Sequence, residues 1–274
     1  CLSVINITFE IWERHVEVLR KILRMLREVQ MAARPTKCQL GELEIAFLGH
    51  VLSEGRVRPE QDKLDKIGAA AAPRTKKELR SFLGLAGFYR KFVPRYAELA
   101  LPLTDRTKKN QPERVDWDET CQQAFDAIRK ALESGAFLQL PDNRFPYVLR
   151  TDASGTGLGA ALMQDQGQGL LPVAFASKKL SSAEVSYHTI ELECLAVVWA
   201  IRRFYPYLYG RDFVLEADHH PLQYLGRIRP VSRRLMGWAA ELQSFPFTFR
   251  YIKGSSNVEA DYLSRITFPE ETPV

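Results

Sequence analysis

Asp152 closes an apolar run, FPYVLRTD, and is followed by SGTGLGAAL, in which glycine recurs at 155, 157 and 159. Asp218 closes a second such run, DFVLEAD. If these runs are adjacent parallel strands, both acids emerge at the sheet edge where open α/β folds bind ligands. The glycines are read as turning the chain tightly and leaving space beside Asp152 for the backbone of a bulky ligand. Between the two runs, residues 184–204 predict a long helix that carries Glu191 and Glu193. These stand about 200° apart on a helical wheel, so only one can look at the strands. Glu193 shares its face with Ile190, Ala196, Val197 and Ala200, a surface suited to packing on a sheet, and is the stronger candidate. Asp261, in NVEADYLSR, opens the last predicted helix, where a carboxylate also suits the helix dipole. Four converging carboxylates repel one another and are tolerated when divalent cations neutralise them. A pair of magnesium ions roughly 3.5–4 Å apart, with manganese as a substitute, suits phosphodiester hydrolysis.

The elements that must hold these acids can be read around them. FPYVLRTD, GLGAALMQ and LPVAFASKKL predict an antiparallel meander, followed by the 184–204 helix and, after Gly210, the strand ending at Asp218. Strand, hairpin, strand, helix, strand is an α/β order in which the helix crosses to a parallel neighbour. A helix around RRLMGWAAELQ, a strand FTFRYIKG, a short helix from about Val258 and a loose tail complete the chain. Upstream, residues 12–31 place Val16, Leu19, Ile22, Leu23, Leu26 and Val29 at helical spacing, and EIAFLGHVL at 44–52 reads as strand and turn.

From Pro59 to about Pro141 the reading is helical. Thr75 with Glu78 three residues on is a capping-box pattern, Pro94 and Pro102 break the run, and a second helix runs from an Asp118 cap to a stop at Gly135. Arg74, Lys76, Lys77, Arg80, Arg90, Lys91 and Arg95 flank an apolar stripe containing Gly84 and Gly87. The plain reading is a solvated helix face. The functional one is a surface whose small residues admit a duplex while the basic side chains meet phosphates.

Whole-chain properties are compatible with this. The chain has 274 residues, 46% hydrophobic and 26% charged, and a net charge of +5 that would suit a polyanionic partner. Cys1, Cys38, Cys121 and Cys194 lack metal-ligand spacing, which points to a reduced intracellular protein rather than a disulfide scaffold or zinc module. No apolar run approaches the roughly 18 residues of a membrane span, so no membrane partner is expected. A chain opening at Cys1 reads as a fragment of a longer protein.

LRTDASGTGLGAAL, PVAFASKKL, the ELECLAVVWAIRRFYPYLYGRDFVLEADHHPL run and YIKGSSNVEADYLSR together resemble the ribonuclease H domain fused to reverse transcriptase in Gypsy-type long-terminal-repeat retrotransposons. Upstream, ARPTKCQLGELEIAFLGHVLSEGRVRP resembles the end of the polymerase palm and ELRSFLGLAGFYRKFVPRYAELALPL the thumb. The resemblance implies a residual palm over 1–58, a helical thumb or connection over 59–140, an α/β ribonuclease H-like domain with a mixed sheet over 141–268, and a tail over 269–274. It also implies that Asp152, Glu193, Asp218 and Asp261 hold two Mg2+ ions and cut the RNA strand of RNA/DNA hybrids. Asp152 would bridge both ions, Glu193 and Asp218 would complete the ion nearer the leaving group, and Asp261 would help hold the ion carrying the attacking water. Partners would be the hybrid and the missing fingers and palm of the same polyprotein, in a cytoplasmic particle or the nucleus.

Two departures qualify the resemblance. No two aspartates are adjacent anywhere in the chain, so polymerisation is not expected from these residues. The loop before Asp261 is only KGSSNVEA, without the histidine that cellular ribonucleases H carry. His219 and His220 read as structural rather than as metal ligands. The alternative function is a non-catalytic, connection-like or decayed nucleic-acid-binding domain.

Overall fold

The computed structural model describes residues 9–53, 55–135, 137–218 and 233–252. Helix α1 spans Phe9–Glu28 and stops earlier than its apolar spacing suggested, because Gln30 leaves helical geometry at φ 56°. Where the sequence suggested one strand and a turn, three strands form a meander: β1 (Glu44–Phe47), β2 (His50–Ser53) and β3 (Arg56–Pro59). A two-residue strand, β4 (Leu138–Gln139), returns to pair with β3 and completes an antiparallel sheet in the order β1-β2-β3-β4.

Between β3 and β4 lies a helical module of α2 (Gln61–Gly68), α3 (Lys76–Phe88), α4 (Tyr96–Leu99), α5 (Leu101–Arg106) and α6 (Glu119–Glu133). The Thr75 hydroxyl accepts from the Glu78 amide at 3.2 Å, and the Glu78 carboxylate accepts from the Thr75 amide at 3.3 Å, a complete capping box that starts α3. Asp118 accepts from the Cys121 amide at 2.8 Å and starts α6, which presents Phe125, Ile128 and Leu132 to the core. Gly135 stands at φ 71°, the left-handed position that lets the chain leave α6 and turn back into β4.

The second sheet contains β5 (Tyr147–Ala153), β6 (Gly157–Asp165), β7 (Leu170–Lys179), β8 (Phe213–Ala217) and β9 (Phe247–Tyr251) in the order β7-β6-β5-β8-β9. β5, β6 and β7 are antiparallel neighbours, whereas β8 is parallel to β5 and β9 to β8. Helix α7 (Thr189–Arg203) makes the crossover to β8. It starts later than the apolar run because Glu184–Ser186 forms a separate 3-10 turn and His188 is extended. The short α8 (Tyr205–Leu208) follows α7, and α9 (Arg233–Leu242) packs on it.

Strand alternation gives each face of this sheet its own core. Tyr147, Leu149, Ala160 and Leu162 pack against Val197, Val198 and Ile201 of α7. Val148, Ala161, Met163 and Phe175 join the core of the helical module. A residue such as Leu149, with no exposed surface, contributes about 1.5–3 kcal/mol through this burial. β6 is therefore buried on both sides, which explains why it reads as a nearly unbroken apolar run.

Glu216 sits opposite Arg150 on one side and opposite Arg250 on the other, and its buried carboxylate is ion-paired to both. This ladder of charge fixes the register of β5, β8 and β9, since a one-residue slip would leave the carboxylate buried without either cation. Glu216→Gln is expected to lower the free energy of unfolding by about 1–3 kcal/mol, because the two guanidinium groups lose a charged acceptor. Arg250→Gln, at the exposed end, should cost less than about 1 kcal/mol. Urea denaturation of both variants checks this ordering.

Candidate active site

Two residues beyond the Arg150–Glu216 pair, each strand delivers an acid: Asp152 from β5 and Asp218 just past the end of β8. Their charges act on one another. Burial raises the Asp152 carboxyl above its ordinary value, the Arg95 guanidinium opposes that, and the charges of Asp218 and Glu98 add to it.

The turn after Asp152 is built differently from its sequence reading. Gly155, Gly157 and Gly159 all have ordinary negative φ, and the turn is closed by the Ser154 hydroxyl, which accepts from the amides of Gly157 at 3.0 Å and Thr156 at 3.3 Å. Gly157 and Gly159 serve close approach instead, and what approaches is this chain, whereas Gly155 faces open space. A Cβ at Gly157 would lie 2.9 Å from Glu98 Cγ, and one at Gly159 would lie 3.5 Å from Arg95 Cγ. Residues 95–98 thus occupy part of the space expected beside Asp152, which itself stays 30% exposed.

That segment is tied down at several points. Arg95 Nε pairs with Glu98 Oε2 at 2.6 Å, and Arg95 Nη1 reaches Asp152 Oδ2 at 3.3 Å. The second oxygen of Glu98 accepts from the Ser154 hydroxyl, and the Ala97 amide donates to Ser177 Oγ of β7 at 2.8 Å. Tyr96 is buried beneath, and that burial pushes its hydroxyl up to about 12.

Glu193 lies in the part of α7 that meets the same strand ends. Its neighbours Leu192, Leu195 and Ala196 pack with Leu158, Leu180 and Ala153, and Glu193 itself is 7% exposed. Glu191 points elsewhere, 3.8 Å from Arg234 of α9. Among the described residues, no three His, Cys, Asp or Glu side chains stand close enough to hold one ion together. Asp261, His219, His220 and the helix predicted from Val258 lie outside the described residues.

The basic residues of the helical module divide into two sets. Arg74, Lys77, Arg80 and Arg90 are exposed, and Gly84 has open space before it on the outer face of α3, near the 54% exposed Phe88. Lys76 belongs to no such surface: it is 4% exposed and its ammonium donates to the carbonyls of Lys108 and Gln111, which staples the start of α3 to the loop after α5. Lys91 is half-buried against the ring of Phe92, with its amine held below the usual range by burial. Arg95 pairs with Glu98 and Asp152. The role of Arg95 and Glu98 was missed from the sequence, and its only trace there was the glycine pair whose missing side chains admit them. A groove of about 530 Å³ lined by Ile67, Pro73, Arg74, Ser81 and Phe82 runs between α2 and α3, remote from the acids.

The chain is similar to several known proteins. The RNase H-like domain found in reverse transcriptase matches residues 117–215. The Retrovirus-related Pol polyprotein from transposon 297 of Drosophila melanogaster is 36% identical over 259 residues, which is 93% of this chain and 24% of that protein. The Tf2-3 polyprotein of Schizosaccharomyces pombe is 34% identical, over 92% of this chain and 19% of that protein. Over most of its length the chain is thus similar to Pol polyproteins of Gypsy-type retroelements, and its residues 117–215 match the RNase H-like domain of reverse transcriptase. It spans about a quarter of the length of transposon 297 Pol.

Among solved structures, foamy viral protease-reverse transcriptase dRH in complex with double-stranded DNA superposes with a TM-score of 0.74 at 26% identity, over 88% of this chain and 43% of that one. The same viral enzyme in complex with an RNA/DNA hybrid gives a TM-score of 0.73 at 24% identity, over 96% of this chain and 36% of that one, and at that identity supports the fold alone. The family match includes Asp152 and Glu193 and stops just short of Asp218, so the strand register, rather than the match, brings Asp218 to the site.

The raised pKa of Asp152 has a measurable sign. The folded chain favours the protonated acid, so the stability this group contributes is present below its unfolded pKa and lost as pH rises through the folded value. Asp152→Asn, which mimics the neutral form, is expected to melt at a higher temperature than the unsubstituted chain near pH 7. The difference should vanish near pH 3, below the ordinary value of about 3.9. Circular-dichroism melts at both pH values check this.

Proposed function

We propose that this chain is a metal-dependent endonuclease module that hydrolyses the RNA strand of RNA/DNA hybrids as part of a longer Pol protein. The observation that carries the reading is the delivery of Asp152 and Asp218 to one edge by adjacent parallel strands within an RNase H-like segment. An edge, unlike a pocket, suits a polymer that must lie across the sheet.

The residues present suit divalent cations. Asp152 and Asp218 offer hard oxygen donors whose charges work against one another, and the place beside Asp152 already attracts a cation, the Arg95 guanidinium. Asp152, Glu193, Asp218 and Asp261 would hold the ions. Bound magnesium would lower the pKa of an attacking water and stabilise the leaving oxygen. The chain's own work is to fix the carboxylates: the β5–β8 register sets the spacing of the two aspartates, and α7 brings Glu193 in among apolar side chains that exclude water.

The exposed Arg74, Lys77, Arg80 and Arg90 would meet the phosphates of the duplex, with Gly84 and Phe88 on the surface between them. The foamy viral relative bound to duplex DNA supports nucleic acid as the partner. A second reading is a non-catalytic duplex-binding domain. It is favoured by the guanidinium at Asp152 and by the absence, among the described residues, of three acids grouped around one point.

A labelled hybrid incubated with Mg2+ separates the two readings. The nuclease cuts RNA only, stops with EDTA and is lost in Asp152→Asn and Asp218→Asn. Intact RNA together with salt-sensitive binding overturns the nuclease and leaves the binding domain. On either reading, replacing Lys77 and Arg74 by alanine should weaken hybrid binding and flatten the slope of log affinity against log salt by about one unit per lost phosphate contact. Lys76→Ala should leave that slope unchanged.

A further inference from the structure

We infer that Arg95 is an internal cation that competes with divalent ions for the Asp152 carboxylate, so that its side chain is a removable stopper on the candidate active site. The inference rests on the proposed metal site and adds to it a control that neither the sequence nor the comparisons assign.

The geometry separates an anchor from a stopper. The backbone of the segment is held by the Ala97 amide on Ser177 and by buried Tyr96, and both contacts are independent of the Arg95 guanidinium. The guanidinium projects from this anchor to Asp152 Oδ2 at 3.3 Å. At that distance its charge repels any divalent ion approaching the same oxygen. Gly157 and Gly159 bring the segment near enough for this, since a side chain at Gly157 would collide with Glu98.

The contact is also easily broken. The Arg95 and Asp152 side chains are 44% and 30% exposed, so water and salt screen their attraction. Arg95 stands in the left-handed region at φ 50°, ψ 30°, where its carbonyl accepts the amides of Glu98 at 3.0 Å and Leu99 at 3.2 Å, so the start of α4 holds the backbone without the guanidinium. Glu98, paired to Arg95 Nε at 2.6 Å, offers the guanidinium a second acceptor within the same segment, to which it can retreat without unseating the anchor.

The test is direct calorimetric titration of the whole chain with MnCl2, without nucleic acid. Arg95→Gly suits the left-handed backbone and removes the charge. It is expected to bind Mn2+ about tenfold more tightly than the unsubstituted chain. Arg95→Gln, which keeps most of the side-chain length without its charge, should tighten binding similarly and covers the case in which the glycine variant fails to fold. Affinity unchanged or weakened in both variants overturns the inference while leaving the metal site standing. Equal Mn2+ binding by Asp152→Asn and the unsubstituted chain removes the metal site itself, and the stopper with it.

Discussion

A buried carboxylate shared by two guanidinium groups sets the geometry on which everything else depends. Glu216 cannot be left in the sheet without a cation beside it, and Arg150 and Arg250 both reach it in one alignment of β5, β8 and β9. The aspartates follow two residues later on the same pleat, so the alignment that satisfies the buried charge also brings Asp152 and Asp218 together. A structural ion pair and a candidate catalytic pair thus occupy successive positions of one ladder. The first is closed by cations of the chain, and the second is left partly open to solvent.

The sheet is enclosed by unlike partners. α7 covers one face with aliphatic side chains from its own crossover, whereas the other face is covered by a helical module that precedes it in the chain. Because Asp152 points toward that module, the module borders the candidate site. Its segment 95–98 occupies the bare backbone of β6 at Gly157 and Gly159, and Lys179 pairs with Asp105 of α5 at 2.8 Å farther along the same boundary. Nucleic acid lying on the outer face of α3 and reaching Asp152 would have to cross this boundary.

Much of the architecture was legible from local chemistry. The Thr75 and Asp118 caps act over three residues, and the apolar runs ending at Asp152 and Asp218 are long enough to read as strands. The choice of Glu193 over Glu191 followed from one helical turn, and the structure buries the first and turns the second toward Arg234. What escaped was decided by distant partners. Leu138–Gln139 is too short to announce a strand and becomes one because β3 offers it an edge. Lys76 has the same composition signal as Lys77 and is drawn inward by carbonyls more than thirty residues away. The glycines of β6 did signal a close approach, but nothing in their spacing names the visitor as Arg95.

The pairing of β3 with β4 gives the helical module an unusual relation to the rest of the chain. The polypeptide leaves the small sheet at Pro59, builds α2 to α6, and comes back beside its own point of departure at Leu138 before continuing to β5. The excursion is a closed handle. Tension along the polypeptide would meet the two residue pairs from Arg56 to Gln139 before it could draw out the ends of that handle.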